Sequence, residues 1–251
     1  MTSTEFSNQF DVLYNNITSN QAPGLNEYEK SVFLTKAQDE IIKNYFNPKS
    51  NRKQDGYDDT PKRQIDFSNI TVSKGYTSTD LLSPAFDGHS NTQSIKLPSE
   101  AMMVINEFAT VSRGGDTVNL VVVPISYDNY NTLMNKPFKR PLKFQAWRII
   151  SATEGQSDIV IGPNDTLQEY YVRYVKKPHP ILTGPLDGLS INGYEYPIPN
   201  ANPPQDEDKV CTGCELDESI HDEILQRAVE LAKIAWQGDI QATMVSGERS
   251  E

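Results

Sequence analysis

The sequence predicts an α+β fold in which a helical subdomain, built from the N- and C-terminal helices, holds an inserted antiparallel β-rich subdomain and long loops. Three observations carry this reading. Apolar residues recur at helical spacing near both ends, they shorten to runs of period two between about 65 and 175, and two stretches, 49–63 and 183–213, follow neither period. A chain of 251 residues is long enough to bury a core of its own.

The first helix opens on Thr2 and Glu5 in capping-box spacing, and Phe6, Phe10, Leu13, Tyr14 and Ile17 fall on one face. It should stop before Ala22-Pro23-Gly24. A second helix follows, capped by Asn26 with Glu29 three residues on, and striped by Tyr28, Val32, Phe33, Ala37, Ile41, Ile42 and Tyr45 as far as Asn47-Pro48. Together these give an N-terminal helical segment, 1–48. Residues 49–63 are nearly devoid of apolar side chains and read as an exposed loop for a partner to order.

From 64 to 182 the sequence reads as the β-rich subdomain. Expected strands cover 65–72, 95–97, 102–111, 120–125, 144–152, 159–161 and 170–175, with one short helix from Ser126 to Met134 ahead of Pro137. Of the twelve tyrosines, Tyr170 and Tyr174 share one face of their strand and Tyr171 takes the other. Residues 183–213 form a second long loop rich in proline, glycine and asparagine. The last helix, within 214–238, starts at Asp217 and Glu218, where acids suit the positive end of the dipole. It carries Ile220, Ile224, Leu225, Ala228, Leu231, Ala232 and Ala235, and should end at Gly238, leaving 239–251 as a flexible tail.

Charge narrows the function. There are 34 acidic against 23 basic residues, a net charge of −11. Such a field repels nucleic acid, although an acidic wall suits a duct through which DNA slides without sticking. The sequence opens without a basic or apolar targeting segment, and no run approaches the ~18 apolar residues of a membrane span. A soluble cytoplasmic product with no membrane partner is therefore expected.

Enzymatic chemistry finds little support. His89, His179 and His221 lie in no catalytic motif, so no catalytic residue is assigned. Cys211 and Cys214 with His221 and one of Asp206, Glu207 or Asp208 could hold zinc, but a structural site normally shows two such pairs. Two reduced cysteines in a loop is the simpler account. Asp55, Asp58 and Asp59 gather three carboxylates without EF-hand spacing, leaving a metal-dependent hydrolase as a minor alternative. No cofactor or metal is called for.

Two sets of segments carry a resemblance. The strand Tyr171-Val-Arg-Tyr-Val-Lys-Lys-Pro178-His-Pro-Ile-Leu182 precedes Leu216-Asp-Glu-Ser-Ile-His221, continuing to Ile224, Leu225, Ala228, Leu231 and Ala232. This order resembles the C-terminal part of head-to-tail connector (adaptor) ring proteins of tailed bacteriophages, with Asp217 where proline is common. Phe6, Tyr14-Asn15, Pro23-Gly24, the run from Tyr28 to Gln38, residues 119–124 and 127–137, and Ala146-Trp147-Arg148 are similar to virion structural proteins of crAss-like phages.

The resemblance implies a virion protein of the phage neck, assembled in the host cytoplasm. It implies a ring, dodecameric, between portal and tail, whose partners are the portal protein, tail or further neck ring proteins, copies of itself, and packaged DNA passing without sequence recognition. Docking is expected from the tail, at Asp239, Ile240, Gln241, Met244, Val245 and Arg249, and from the loop residues Lys53 and Arg63. The alternatives are a tail-tube or capsid-decorating protein, the hydrolase, and a zinc-stabilised binding module.

Overall fold

The computed structural model describes residues 1–18, 24–46, 65–82, 92–139, 141, 143–150, 155–198 and 205–248. The chain forms two units, one from Met1–Ile70 with Pro178–Glu251 and one from Thr71–Lys177. The first is helical and built from both chain ends, and the second is a sheet inserted between them. The α+β class is thus the one expected.

In the helical unit, α1 (Ser3–Thr18) begins with the anticipated capping box: Thr2 N donates to Glu5 Oε2 (2.7 Å) and Glu5 N to Thr2 Oγ1 (3.3 Å). Helix α2 (Glu27–Phe46) repeats the device, with Asn26 N bonded to Glu29 Oε2 (2.9 Å) and Glu29 N to Asn26 Oδ1 (2.8 Å). Phe6, Phe10 and Tyr14 of α1 are buried, as are Leu34, Ala37, Ile41 and Ile42 of α2.

Residues 65–70 depart from the expected strand. Ser68–Ile70 is a 3-10 turn, begun where Ser68 Oγ bonds Ile65 O (2.9 Å), and Phe67 and Ile70 are buried at a spacing of three. Period-two apolar spacing was misleading here, because Asp66 is buried too and accepts from Ser219 Oγ (2.6 Å).

The sheet is seven-stranded, ordered β1-β7-β3-β4-β5-β6-β2. Its strands are β1 (Thr71–Thr77), β2 (Thr92–Lys96), β3 (Ala101–Arg113), β4 (Asp116–Ile125), β5 (Gln145–Ile150), β6 (Gln156–Val160) and β7 (Asp165–Lys176). All neighbours run antiparallel except β4 and β5, which are parallel because the chain crosses between them through α3 (Tyr127–Met134). Several strands outrun the apolar segments that announced them, since ladder pairing uses backbone and admits polar ends such as Asp116-Thr117 facing Arg113-Ser112. Gly114 and Gly115, at φ 62° and 97°, make that hairpin turn.

One sheet face carries the core, including Tyr76, Ile95, Val111, Leu120, Tyr170 and Tyr174. On the other, α3 covers Trp147, Ile149 and Val160 through Tyr130. Beyond α3, Tyr171, Phe108 and Val121 form one row across β7, β3 and β4 and stay exposed. The Tyr171 ring stacks on Phe108 with centroids 4.7 Å apart and also lies over Gly75, where a Cβ would stand 2.9 Å from Tyr171 Cε1.

Within the core side, Glu107, Arg148 and Tyr170 are buried together. Arg148 Nε donates to Glu107 Oε1 and Oε2 (2.8 and 2.9 Å), and Tyr170 Oη donates to Glu107 Oε2 (2.7 Å). Burial, and then the Glu107 charge, raise the Tyr170 phenol far above its usual pKa, so it stays a donor. Arg148→Ala would leave the carboxylate without its cation. The sheet unit should lose about 3–5 kcal/mol, read from urea denaturation, whereas a loss under about 1 kcal/mol would show the pair to be dispensable.

The final helix, α4 (His221–Glu248), follows a 3-10 turn, Glu218–Ile220, whose N-cap Asp217 accepts from Ser219 N (3.0 Å). Ile224, Leu225, Ala228, Val229 and Ala232 are buried. The helix does not stop at Gly238. An internal glycine costs only about 1 kcal/mol against alanine, and the good helix formers on both sides carry the helix past it.

Candidate functional site

The helical unit holds a polar seam that the sequence reading passed over. Ser31, Thr35 and Gln38 lie at i, i+4 and i+7 of α2, on one face, and all three are buried. The segment after Pro178 runs along them. Thr183 N donates to Ser31 Oγ (3.0 Å), Ile181 N to Thr35 Oγ1 (3.2 Å), and Gln38 Nε2 to His179 O (2.9 Å). A helix thus supplies the partners that a neighbouring strand would otherwise give to alternate residues. The apolar stripe assigned to α2 is accordingly shifted: Val32 and Phe33 are only half-buried, and Ser31, Thr35 and Gln38 occupy the interior positions.

Immediately before Ser31, Lys30 is buried with its ammonium satisfied three times, by Asp11 Oδ2 (2.7 Å), Glu27 Oε1 (3.1 Å) and Ser7 Oγ (3.1 Å). Burial opposes its charge, but the bonds from Asp11 and Glu27 outweigh that and raise its pKa above the ordinary lysine value. Glu27 mirrors it: burial pushes the carboxyl up, and Thr183, Ser7 and Lys30 together hold it below the usual range. This is an ion pair locking α1 to α2.

The stretch expected as a long free loop, 183–213, is in its described part packed onto α2. Leu182, Leu186 and Ile191 are buried against Tyr28, Val32, Tyr194, Tyr196 and Cys211. Asn192 and Gly193, at φ 54° and 84°, turn a two-residue hairpin closed by Ile191 N to Tyr194 O (3.0 Å) and Tyr194 N to Ile191 O (2.9 Å). The Asn-Gly pair between two apolar residues is the signal for it.

Cys211 Sγ donates to Pro180 O (3.3 Å) and Cys214 Sγ to Gln38 Oε1 (3.3 Å). Burial pushes these thiols up to about 11 and about 12, so both are protonated at neutral pH. His221 packs tilted against Phe6, ring centroids 5.3 Å apart, and bonds Leu216 O through Nε2 (3.0 Å). His179 faces Glu215 at 3.3 Å. Among the described residues, no three His, Cys, Asp or Glu side chains are grouped as a metal would require.

The expected docking residues fall in two places. Asp239, Ile240, Gln241, Met244 and Val245 belong to the last helix rather than to a free tail. Lys53, Arg63 and Arg249, like Asp55, Asp58, Asp59 and His89, lie outside the described residues. The exposed feature the sequence reading missed is the crossover after α3, with Phe138 and Phe144 among Lys136, Lys139 and Lys143. Its signal is the run KPFKRPLKF, residues 136–144, in an otherwise acidic chain.

Thr35→Val keeps the shape of the seam but strands the Ile181 N–H in the interior. About 1–3 kcal/mol should be lost, and Thr35→Ser should recover most of it. Urea midpoints for the two variants decide the matter, equal values speaking against the bond. His221 gives a pH effect. Burial depresses its pKa below the ordinary 6.5, so its contribution is complete above that pH and is lost as pH falls below it. Lowering pH from about 7.5 to about 5.5 should reduce the midpoint by helical circular dichroism, and His221→Gln should flatten the dependence. A flat wild-type profile would mean that the imidazolium is accommodated.

Comparison with known proteins supplies the family. Residues 1–244 match the family described as phage tail ring protein 3/4. The chain is 47% identical over 258 residues to ring protein 4/5 of Bacteroides phage crAss001, covering all of both chains. It is 28% identical over 241 residues to ring protein 3 of the same phage, covering 94% of this chain and 96% of the relative. With these matches running nearly end to end, the chain belongs to the phage tail ring protein 3/4 family and is a structural ring protein of the phage virion.

Proposed function

We propose that copies of this chain close into a ring, dodecameric, that serves as an adaptor in the neck, between portal and tail, and forms part of the channel for packaged DNA. The observation that carries this reading is the likeness over nearly the whole chain to two differently numbered ring proteins of one phage. Successive numbers suit a stack of rings, in which each ring meets the next. The net charge of −11 suits a channel wall that DNA passes without sticking.

Assembly takes place in the host cytoplasm before the virion is complete, and the role is structural rather than enzymatic. Docking to the portal, or to neighbouring ring proteins, falls to the C-terminal residues Asp239, Ile240, Gln241, Met244, Val245 and Arg249 and to Lys53 and Arg63. Repetition around a symmetric ring gives weak contacts a collective strength that none has alone. A second reading follows from the words "tail ring" in the family description: the ring sits further along the tail and touches other rings but not the portal.

The test is the mass of the purified protein by light scattering and negative-stain imaging, alone, with the portal protein of the same phage, and with another of its ring proteins. Rings that bind the portal support the adaptor position, and truncation after Gly238 should then abolish that binding. Rings that bind only another ring protein support the second reading. A monomer in all three mixtures would overturn both.

A further inference from the structure

We propose that the crossover from β4 to β5 is the cationic half of the contact between copies, inserting Phe138 and its flanking lysines into the acidic groove between α2 and α4 of the next copy. The proposal rests on the ring of identical copies put forward above. A cyclic ring is closed by a heterologous contact, in which two different surfaces of one chain must fit each other.

The crossover has the form of an anchor. Phe138 is 96% exposed and Phe144 61% exposed, in a chain whose other large apolar side chains are mostly covered. Lys136 and Lys139 flank Phe138, and Lys143 Nζ stands 5.8 Å from the Phe144 ring centroid. The segment is held at both ends. Lys136 N bonds Leu133 O (3.1 Å) and Lys139 N bonds Lys136 O (2.9 Å), continuing from α3, whose Tyr130 and Leu133 pack on the sheet. At the far end Phe144 O accepts from Val121 N (3.0 Å), and Lys143 O accepts from Arg113 Nη1 (2.8 Å). Arg113 is itself fixed to Asp165 by bonds of 2.6 and 2.5 Å. An aromatic ring presented on a braced turn has the character of an interface anchor.

The complementary surface lies on the helical unit. Glu40, Glu223 and Glu230 border a cavity of about 430 Å³ between α2 and α4, with Ile41 in its lining. Arg227 is the cation there, and it is already held by Glu40 (3.0 and 2.6 Å) and Glu230 (2.9 Å). The groove therefore keeps an excess of negative charge. Copies of net charge −11 repel one another around a ring, and a local cation patch facing a local anion groove offsets that repulsion where the surfaces meet. Duplex DNA is the other polyanion such a patch could meet, and the test separates the two.

The experiment compares the full chain with Lys136→Glu/Lys139→Glu, with Phe138→Ser, and with the reversal combined with Glu223→Lys/Glu230→Lys, each checked for folding by circular dichroism. Rings of the wild type should weaken with salt, and the concentration for half-assembly should rise at least about tenfold for the first two variants and recover in the combined one. A carbodiimide link between Lys136 or Lys139 of one copy and Glu223 or Glu230 of another, found in mixed light and heavy-isotope wild-type rings, would support the contact independently. Rings that form unchanged in the charge reversal, with no such link, would overturn it, and so would a reversal that spares the rings and abolishes binding of a duplex oligonucleotide. If the wild type forms no rings with any partner, the ring reading itself fails and this contact with it.

Discussion

The helical unit depends on one constraint: α2 must face inward with Ser31, Thr35 and Gln38, residues that belong by habit on a helix surface. They face inward because the chain returning from the sheet arrives extended, with backbone groups that the interior would otherwise leave unmet. Each bond contributes modestly in net terms, whereas its absence costs more, so the seam fixes register more than it adds stability. With the seam formed, Leu182, Leu186 and Ile191 are delivered to Tyr28 and Val32, and Cys214 is brought to the side-chain carbonyl of Gln38. Lys30 performs the same service toward α1, its buried ammonium joining the half-buried Asp11 and Glu27.

What the sequence disclosed follows from what periodicity can encode. Both capping boxes and the inward Tyr170 and Tyr174 were readable because each is a local pattern with a local cause, whereas the first strand begins at Thr71, later than the change of period at 64 suggests. The seam was not readable that way. Ser31, Thr35 and Gln38 look like an ordinary polar stripe, and only the approach of residues more than a hundred positions away makes them interior. The parallel pairing of β4 with β5 is likewise a matter of which strand lies next to which, and no alternation of apolar residues records it. Asn192-Gly193 was legible in principle, yet it was submerged in a proline-rich context that favoured a loop. The stretch from Asp239 reads as a tail because it follows Gly238 and is largely small and polar, yet the helix runs on to Glu248 because a single glycine is a small cost within many favourable residues.

Electrostatics gives the molecule two different tasks in one chain. Buried Lys30 is matched by two carboxylates and buried Arg148 by Glu107, half-buried Arg113 is matched by Asp165, and the buried Asp66 and Asp158 accept from hydroxyls. Over the whole chain acids outnumber bases, 34 to 23, a surplus that disfavours binding of nucleic acid. In the ring proposed above the same surplus would burden the contact of copy with copy, so the places where lysines gather carry more meaning here than they would in a neutral protein.

The insertion of the sheet between the two halves of the helical unit has a consequence for how the protein is born. The sheet is a continuous stretch of chain and can fold as soon as it leaves the ribosome. The N-terminal helices, although made before the sheet, must wait, because α4 and the seam segment that complete their core are made after it. Until then Phe6, Phe10 and Ile42, side chains wholly enclosed in the finished protein, have no cover. Until α4 is made the helical unit therefore has no finished face, and the unit whose first helices precede the sheet is the later of the two to complete its core.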